Sequence, residues 1–277
     1  MKPVSALATS LALLASSASS ASAFRVFDNT AYTNTSIGYG SSNINWIPNY
    51  VCSPLLAGGS LPSEAVWKAT VQQWITYPGY PLVLDCEQLY FNDNNAATAD
   101  TTLLWLSTLQ TWAAQVLPSG SVVGWYGLVG NTNAGLYDHY RTLIANHTPT
   151  AFFPSAYTFT DSFATWKSSL TAVVATAHAI NSSVPIVPYT WPQYHGNYSF
   201  FPVDLWNQQL NYLASQSATL AGFIVWGGKN HAVCGDACQA TAGQQPWLNA
   251  TRSFLSTLYG VYNGLPTLSG GQLFSGL

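Results

Sequence analysis

The sequence predicts an α/β fold in which short parallel strands alternate with longer helices and close into a distorted (β/α) barrel of about seven strands. Three observations predict it. Apolar runs rich in β-branched and aromatic residues recur along the chain, and longer amphipathic segments separate them. The 277 residues, 48% of them hydrophobic, suffice for one barrel of ordinary size. No linker divides the chain after residue 24.

Residues 1–23 read as a signal peptide and lie outside this fold. Lys2 precedes an apolar stretch from Val4 to about Ala15, and a Ser/Ala run ends in Ala21-Ser22-Ala23, an A-x-A cleavage pattern. The first strand then falls at 24–28, and a less regular one is expected at 44–47. Further strands are expected at 81–87, 121–126, 151–157, 184–190 and 221–226, with helices at 62–76, 97–116, 134–146, 161–181, 203–218 and 242–260. Seven or eight strand-helix units close most economically into a TIM-barrel-like domain over 24–277. The rival, an open doubly wound sheet, commonly carries a glycine-rich phosphate loop after its first strand, and Phe27-Asp28-Asn29-Thr30 is no such loop.

After the signal peptide no stretch reaches about 18 uninterrupted apolar residues, and the end of the chain after Gly264 is too polar for an anchor signal. A secreted, extracellular monomer with no membrane association is expected. Five N-x-S/T sequons, at Asn34, Asn146, Asn181, Asn197 and Asn249, fit a glycosylating secretory route. Four cysteines in an oxidising compartment allow three pairings, and Cys234-Gly-Asp-Ala-Cys238 is spaced for a local staple. By elimination Cys52 pairs with Cys86, or Cys86 stays a buried thiol. Paired C-x-x-C units are absent, so neither a zinc site nor any other cofactor is expected.

Only 6% of the chain is charged, against about 25% in ordinary domains, and the formal net charge is -3. Without a basic run there is no footprint for nucleic acid or an anionic membrane, and polyanionic substrates are disfavoured. The 11 Trp, 16 Tyr and 12 Phe point instead to flat, neutral, hydroxyl-rich ligands such as an oligo- or polysaccharide, with a large aromatic core as the plainer alternative.

Barrel enzymes place their chemistry at the C-terminal ends of the strands. The most informative run there is Tyr80-Pro81-Leu82-Val83-Leu84-Asp85-Cys86-Glu87. Strand side chains alternate, so Asp85 and Glu87 share one side and Cys86 points to the other. Two acids that close raise at least one pKa, and partial burial raises it further. Glu87, nearer the open end, is the expected general acid. The other strand ends supply rings: Trp125 and Tyr126, Tyr157, Tyr189 and Trp191, and Trp226. Together they predict an aromatic cup around the acids that stacks on pyranose rings. Asp28 and Asn29 are placed to line the mouth, and His195 is the one histidine just past a strand end. No G-x-S-x-G elbow is present.

At these residues the chain resembles the hyaluronidase family of glycoside hydrolases. Phe24-Arg25-Val26-Phe27-Asp28-Asn29 is similar to the family's first strand, and Leu82-Val83-Leu84-Asp85-Cys86-Glu87 to its apolar-Asp-x-Glu strand. Phe153-Pro154-Ser155-Ala156-Tyr157, Val187-Pro188-Tyr189-Thr190 and Val225-Trp226-Gly227 follow in the family's order. The resemblance implies a retaining mechanism without a protein nucleophile. Glu87 would protonate the glycosidic oxygen and Asp85 would help hold the substrate's 2-acetamido group. Tyr126 and Tyr157 would orient that amide, and Trp226 would wall the subsite.

The chain departs from the family where Gln88-Leu89-Tyr90 follows the acids and where Trp191 stands in the place of an arginine. Once Lys2 leaves with the signal peptide, the basic residues are Arg25, Lys68, Arg141, Lys167, Lys229 and Arg252, scattered along the chain. Hyaluronan carries a carboxylate in every disaccharide and would call for a cationic cleft. The expectation is therefore a glycoside hydrolase for a neutral or weakly charged glycan, cleaving at an N-acetylhexosamine. Two rivals are a two-carboxylate glycosidase, its second acid at Asp28 or Asp161, and a non-catalytic glycan-binding secreted protein.

Overall fold

The computed structural model describes residues 24–32, 35–91, 96–130, 132–228 and 241–260. Residues 1–23, read above as a signal peptide, and Asn34, Lys229, Cys234 and Cys238 lie outside them. Among the described residues six strands are formed: β1 (Arg25–Thr30), β2 (Asn45–Ile47), β3 (Leu82–Leu84), β4 (Val123–Trp125), β5 (Tyr189–Thr190) and β6 (Gly222–Gly227). All pairings between them are parallel, in two three-stranded sheets ordered β1-β6-β5 and β2-β3-β4. The helices among the described residues that cover them are α1 (Asn49–Leu56), α2 (Glu64–Trp74), α3 (Ala96–Ala114), α4 (Tyr137–Asn146), α5 (Phe163–Asn181), α6 (Val203–Ser215) and α7 (Pro246–Tyr259).

The hydrogen-bonded ladders do not close into the continuous seven-stranded barrel expected from sequence. Between the sheets there are single parallel bridges: Phe27 with Ser42 on one side, and on the other Tyr126 with Phe153, Phe152 with Ile186, and Ser155 with Tyr189. Proline explains the second gap. Pro154, Pro185 and Pro188 accept bonds from the N–H groups of Tyr189, Phe152 and Ile224, but have no N–H to return. The strand expected at 151–157 therefore survives as bridges, and the one expected at 184–190 shrinks to two residues.

Strand alternation sorts the core into two layers. Val26, Leu82, Leu84, Val123, Trp125, Phe223 and Val225 pack outward against the helices. Phe27, Ile44, Val83, Phe153, Val187, Tyr189 and Ile224 pack inward in a separate cluster. Gly124 is required here, because a Cβ would lie 2.4 Å from the Ala151 carbonyl oxygen and 2.8 Å from the Phe153 ring. Its bare Cα lets Phe153 fill the centre.

The helices begin and end where local chemistry dictates. Ser63 and Ser162 cap α2 and α5 by accepting from the N–H of Val66 (3.3 Å) and Thr165 (3.1 Å). Pro246 opens α7, and Gly260, at φ 64°, ends it in the left-handed conformation. Helix α1 has no counterpart among the sequence expectations, because Pro48 precedes it and Pro54 lies inside it. Its Cys52 forms a disulfide with Cys86, which resolves the open pairing and ties α1 to the end of β3. No helix among the described residues is long and apolar enough to cross a membrane.

Candidate active site

The inward residues of successive strands end in a cavity of about 850 Å³ at the C-terminal ends of the strands. On β3, Val83 faces inward, so Asp85 two residues on faces the cavity while Leu84 and Cys86 face the helices. The same step of two carries Ile44 to Trp46, Gly124 to Tyr126, Ser155 to Tyr157, Tyr189 to Trp191 and Ile224 to Trp226. The ladder thus aims one polar or aromatic side chain per strand at a common space.

Asp85 is 6% exposed. Its Oδ2 accepts from the indole Nε1–H of Trp46 at 3.2 Å, and its Oδ1 is buried without a hydrogen-bond partner. Burial and, secondarily, the charge of Glu87 push the Asp85 carboxyl up to about 7, against the opposing pull of the Trp46 indole and the Asn49 backbone N–H. Glu87 also lines the cavity but is exposed, and its backbone N–H donates to Asn49 Oδ1 at 3.1 Å. The structure buries Asp85 and exposes Glu87, because the chain leaves the sheet in a turn at residues 87–88.

Rings form the remaining walls. Tyr126 packs edge-on against Tyr189 at 5.1 Å and beside Tyr157 at 6.1 Å, and Trp191 meets Trp226 edge-on at 4.7 Å. Burial pushes Tyr126 up to about 12 and raises Tyr157 and Tyr189 well above the ordinary phenol value, so all three present neutral phenols. Trp191 is fixed by its Nε1–H, which donates to Gln193 Oε1 at 3.0 Å and Tyr32 Oη at 3.2 Å. His195 stacks on Tyr157 at 5.7 Å and lines the cavity.

Two expected site residues stand elsewhere. Trp125 faces the helices, where its Nε1–H donates to Gln110 Oε1 at 2.7 Å, and it does not line the cavity. Asp28 accepts from the N–H groups of Thr30 (3.0 Å) and Ile37 (2.8 Å), which spends its carboxylate on the following loop. Its neighbour Asn29 turns inward instead and donates from Nδ2 to Tyr189 Oη at 3.3 Å. Asp161 accepts from the Tyr194 hydroxyl and also lies off the cavity. Trp46, Asn49, Tyr50 and Trp74 line the cavity and were not foreseen.

Asp85 and Glu87 are the carboxylates of the lining among the described residues, and no Lys or Arg joins them. Arg25 is buried at the start of β1, Lys68 pairs with Glu64, and Arg141 pairs with Asp138. Lys167 lies over the Tyr212 ring, and Arg252 donates to the carbonyls of Ser36 and Ile37. Among the sequons, Asn146, Asn197 and Asn249 are exposed and Asn181 is half-buried.

No protein-family profile matches the chain, and no curated protein matches it. Among solved structures, the chain is similar to the crystal structure of bee venom hyaluronidase. The TM-score is 0.58 and the identity 13%, over 83% of this chain and 99% of that one. That likeness is one of fold.

Proposed function

We propose that the chain is a secreted glycoside hydrolase that cleaves a neutral or weakly charged glycan at an N-acetylhexosamine, with retention, by substrate-assisted catalysis. The observation that carries the reading is a nearly dry aspartic acid with one unpartnered oxygen, beside an exposed glutamate, in a ring-walled cavity. The fold shared with a hyaluronidase supports glycosidic chemistry, and the A-x-A leader and the Cys52–Cys86 disulfide support secretion. A lining without Lys or Arg among the described residues favours a glycan less charged than hyaluronan.

In this reading Glu87 gives its proton to the glycosidic oxygen as the anomeric C–O bond breaks, and the substrate's acetamido oxygen forms the new bond to the anomeric carbon. Water, losing a proton to the Glu87 carboxylate, then opens the oxazolinium. Asp85, with Oδ2 held by Trp46, turns Oδ1 to the acetamido group. The phenols of Tyr126 and Tyr157 orient the amide, and Tyr189, Trp191 and Trp226 wall the sugar. The two-carboxylate alternative is weakened because Asp28 and Asp161 are engaged away from the cavity.

The test is a panel of uncharged glycans and hyaluronan, assayed with the wild type, Glu87→Gln and Asp85→Asn, with and without a thiazoline analogue of N-acetylglucosamine. We expect cleavage of an uncharged N-acetylhexosamine glycan and tight inhibition by the thiazoline, which resembles the cyclic intermediate. Cleavage without inhibition would point to two carboxylates, and variants equal to wild type would remove the acid pair from the chemistry.

A further inference from the structure

We infer that Trp46, Tyr50 and Trp74 form a second saccharide subsite, beside the acid pair in the same cavity, which holds a further pyranose of an uncharged glycan chain. The inference rests on the glycosidase reading for what occupies the subsite, and on geometry of its own for where it is.

The three rings come from three elements, β2, α1 and α2, and meet as a ladder. Trp46 and Tyr50 are 6.4 Å apart at 87°, and Tyr50 and Trp74 are 5.9 Å apart at 70°. Edge contacts of this kind leave ring faces available for stacking. All three line the same cavity as Asp85 and Glu87, and Tyr50 is 59% exposed, so its ring is open to a ligand in that cavity.

The inner end of the ladder is joined to the chemistry, because the Trp46 indole N–H is bonded to Asp85. Polar groups suited to sugar hydroxyls lie alongside. Asn49 and Ser53 line the cavity next to Tyr50, with Ser53 Oγ 2.7 Å from Asn49 Oδ1 and 3.0 Å from Gln88 Oε1. Stacking faces flanked by amides and hydroxyls, with no cation among the described lining residues, are the chemistry of an uncharged pyranose. A glycan chain held by this ladder and by the rings beyond the acids would be cut internally.

The test uses reducing-end-labelled β-1,4-linked oligosaccharides of N-acetylglucosamine, from dimer to hexamer. Cleavage and calorimetric binding are measured for the full-length secreted protein and for Tyr50→Ala, Trp74→Ala and the control Tyr39→Ala, whose ring lies over Arg252 and off the cavity. We expect kcat/KM on the hexamer to fall on the order of tenfold in Tyr50→Ala and Trp74→Ala, with a smaller fall on the dimer and with wild-type behaviour in the control.

Cleavage by wild type with the same length profile in Tyr50→Ala and Trp74→Ala would overturn the subsite and leave the glycosidase reading standing. Hexamer binding that depends on Tyr50 and Trp74 without any cleavage would keep the subsite and overturn the hydrolytic reading. Neither binding nor cleavage across the series would overturn both.

Discussion

The two sheets contribute differently to the cavity. The β2-β3-β4 sheet brings both acids, the indole that holds one of them, and the disulfide beside them. The β1-β6-β5 sheet brings Tyr189, Trp191 and Trp226 with no charged group in the lining. The difference follows from the cost of placing each group. A ring at a strand end is stabilised by its own burial, whereas a buried carboxyl loses solvation and must keep its proton or gain partners. Among the described residues a disulfide pins the acid-bearing edge, Cys52 to Cys86, one residue from Asp85 and one from Glu87.

Substitutions on the two sides should therefore fail in different ways. Glu87→Gln is expected to lower kcat by roughly 10²–10⁴-fold with little change in KM, the range of one general acid. Trp226→Ala on the other sheet is expected to raise KM by about tenfold with the smaller effect on kcat, as loss of one stacking wall would. Steady-state kinetics on one uncharged glycan reads both, and equal kcat losses would erase the distinction.

The disulfide comes next. Its sequence separation is 34, so replacing Cys52 and Cys86 by serine should cost about 3–4 kcal/mol in reversible unfolding, with the acid pair losing its anchor first. Trp125→Phe is the smallest change. It removes the indole bond to Gln110 and should cost about 1 kcal/mol while leaving kcat and KM at wild-type values, since the ring faces the helices. A loss of activity there would contradict the inward and outward assignment of β4.

How much of this was legible in the sequence depends on which rule each residue obeyed. Alternation correctly sent Asp85 to one side and Cys86 to the other, and the same period would have found Trp46 from Ile44 had the short strand at 44–47 been trusted. It also separates Tyr126 from Trp125 and Asn29 from Asp28, pairs that composition alone treats as equivalent. Continuity of the strands was not legible, because Pro154, Pro185 and Pro188 leave the hydrophobic pattern intact while removing ladder donors. Nor was the identity of the buried acid, which depends on the turn at residues 87–88 that carries Glu87 out. Helix α1 was hidden by Pro54, and with it went Tyr50.

The central claim is that burial, with the charge of Glu87 second, raises the Asp85 carboxyl to about 7. Its folded pKa lies above the ordinary aspartate value of 3.8, so the native state binds the proton more tightly than the unfolded chain does. The stability this contributes is complete below about pH 4 and is lost as pH rises through about 7, by up to about 4 kcal/mol. Carboxyl-carbon NMR of the protein labelled at aspartate, with Asp85→Asn to assign the signal, measures it directly. A titration near pH 7 that moves downward in Glu87→Gln, as the repelling charge is removed, is the predicted result. An Asp85 signal that titrates near 4 in the folded protein would contradict the claim.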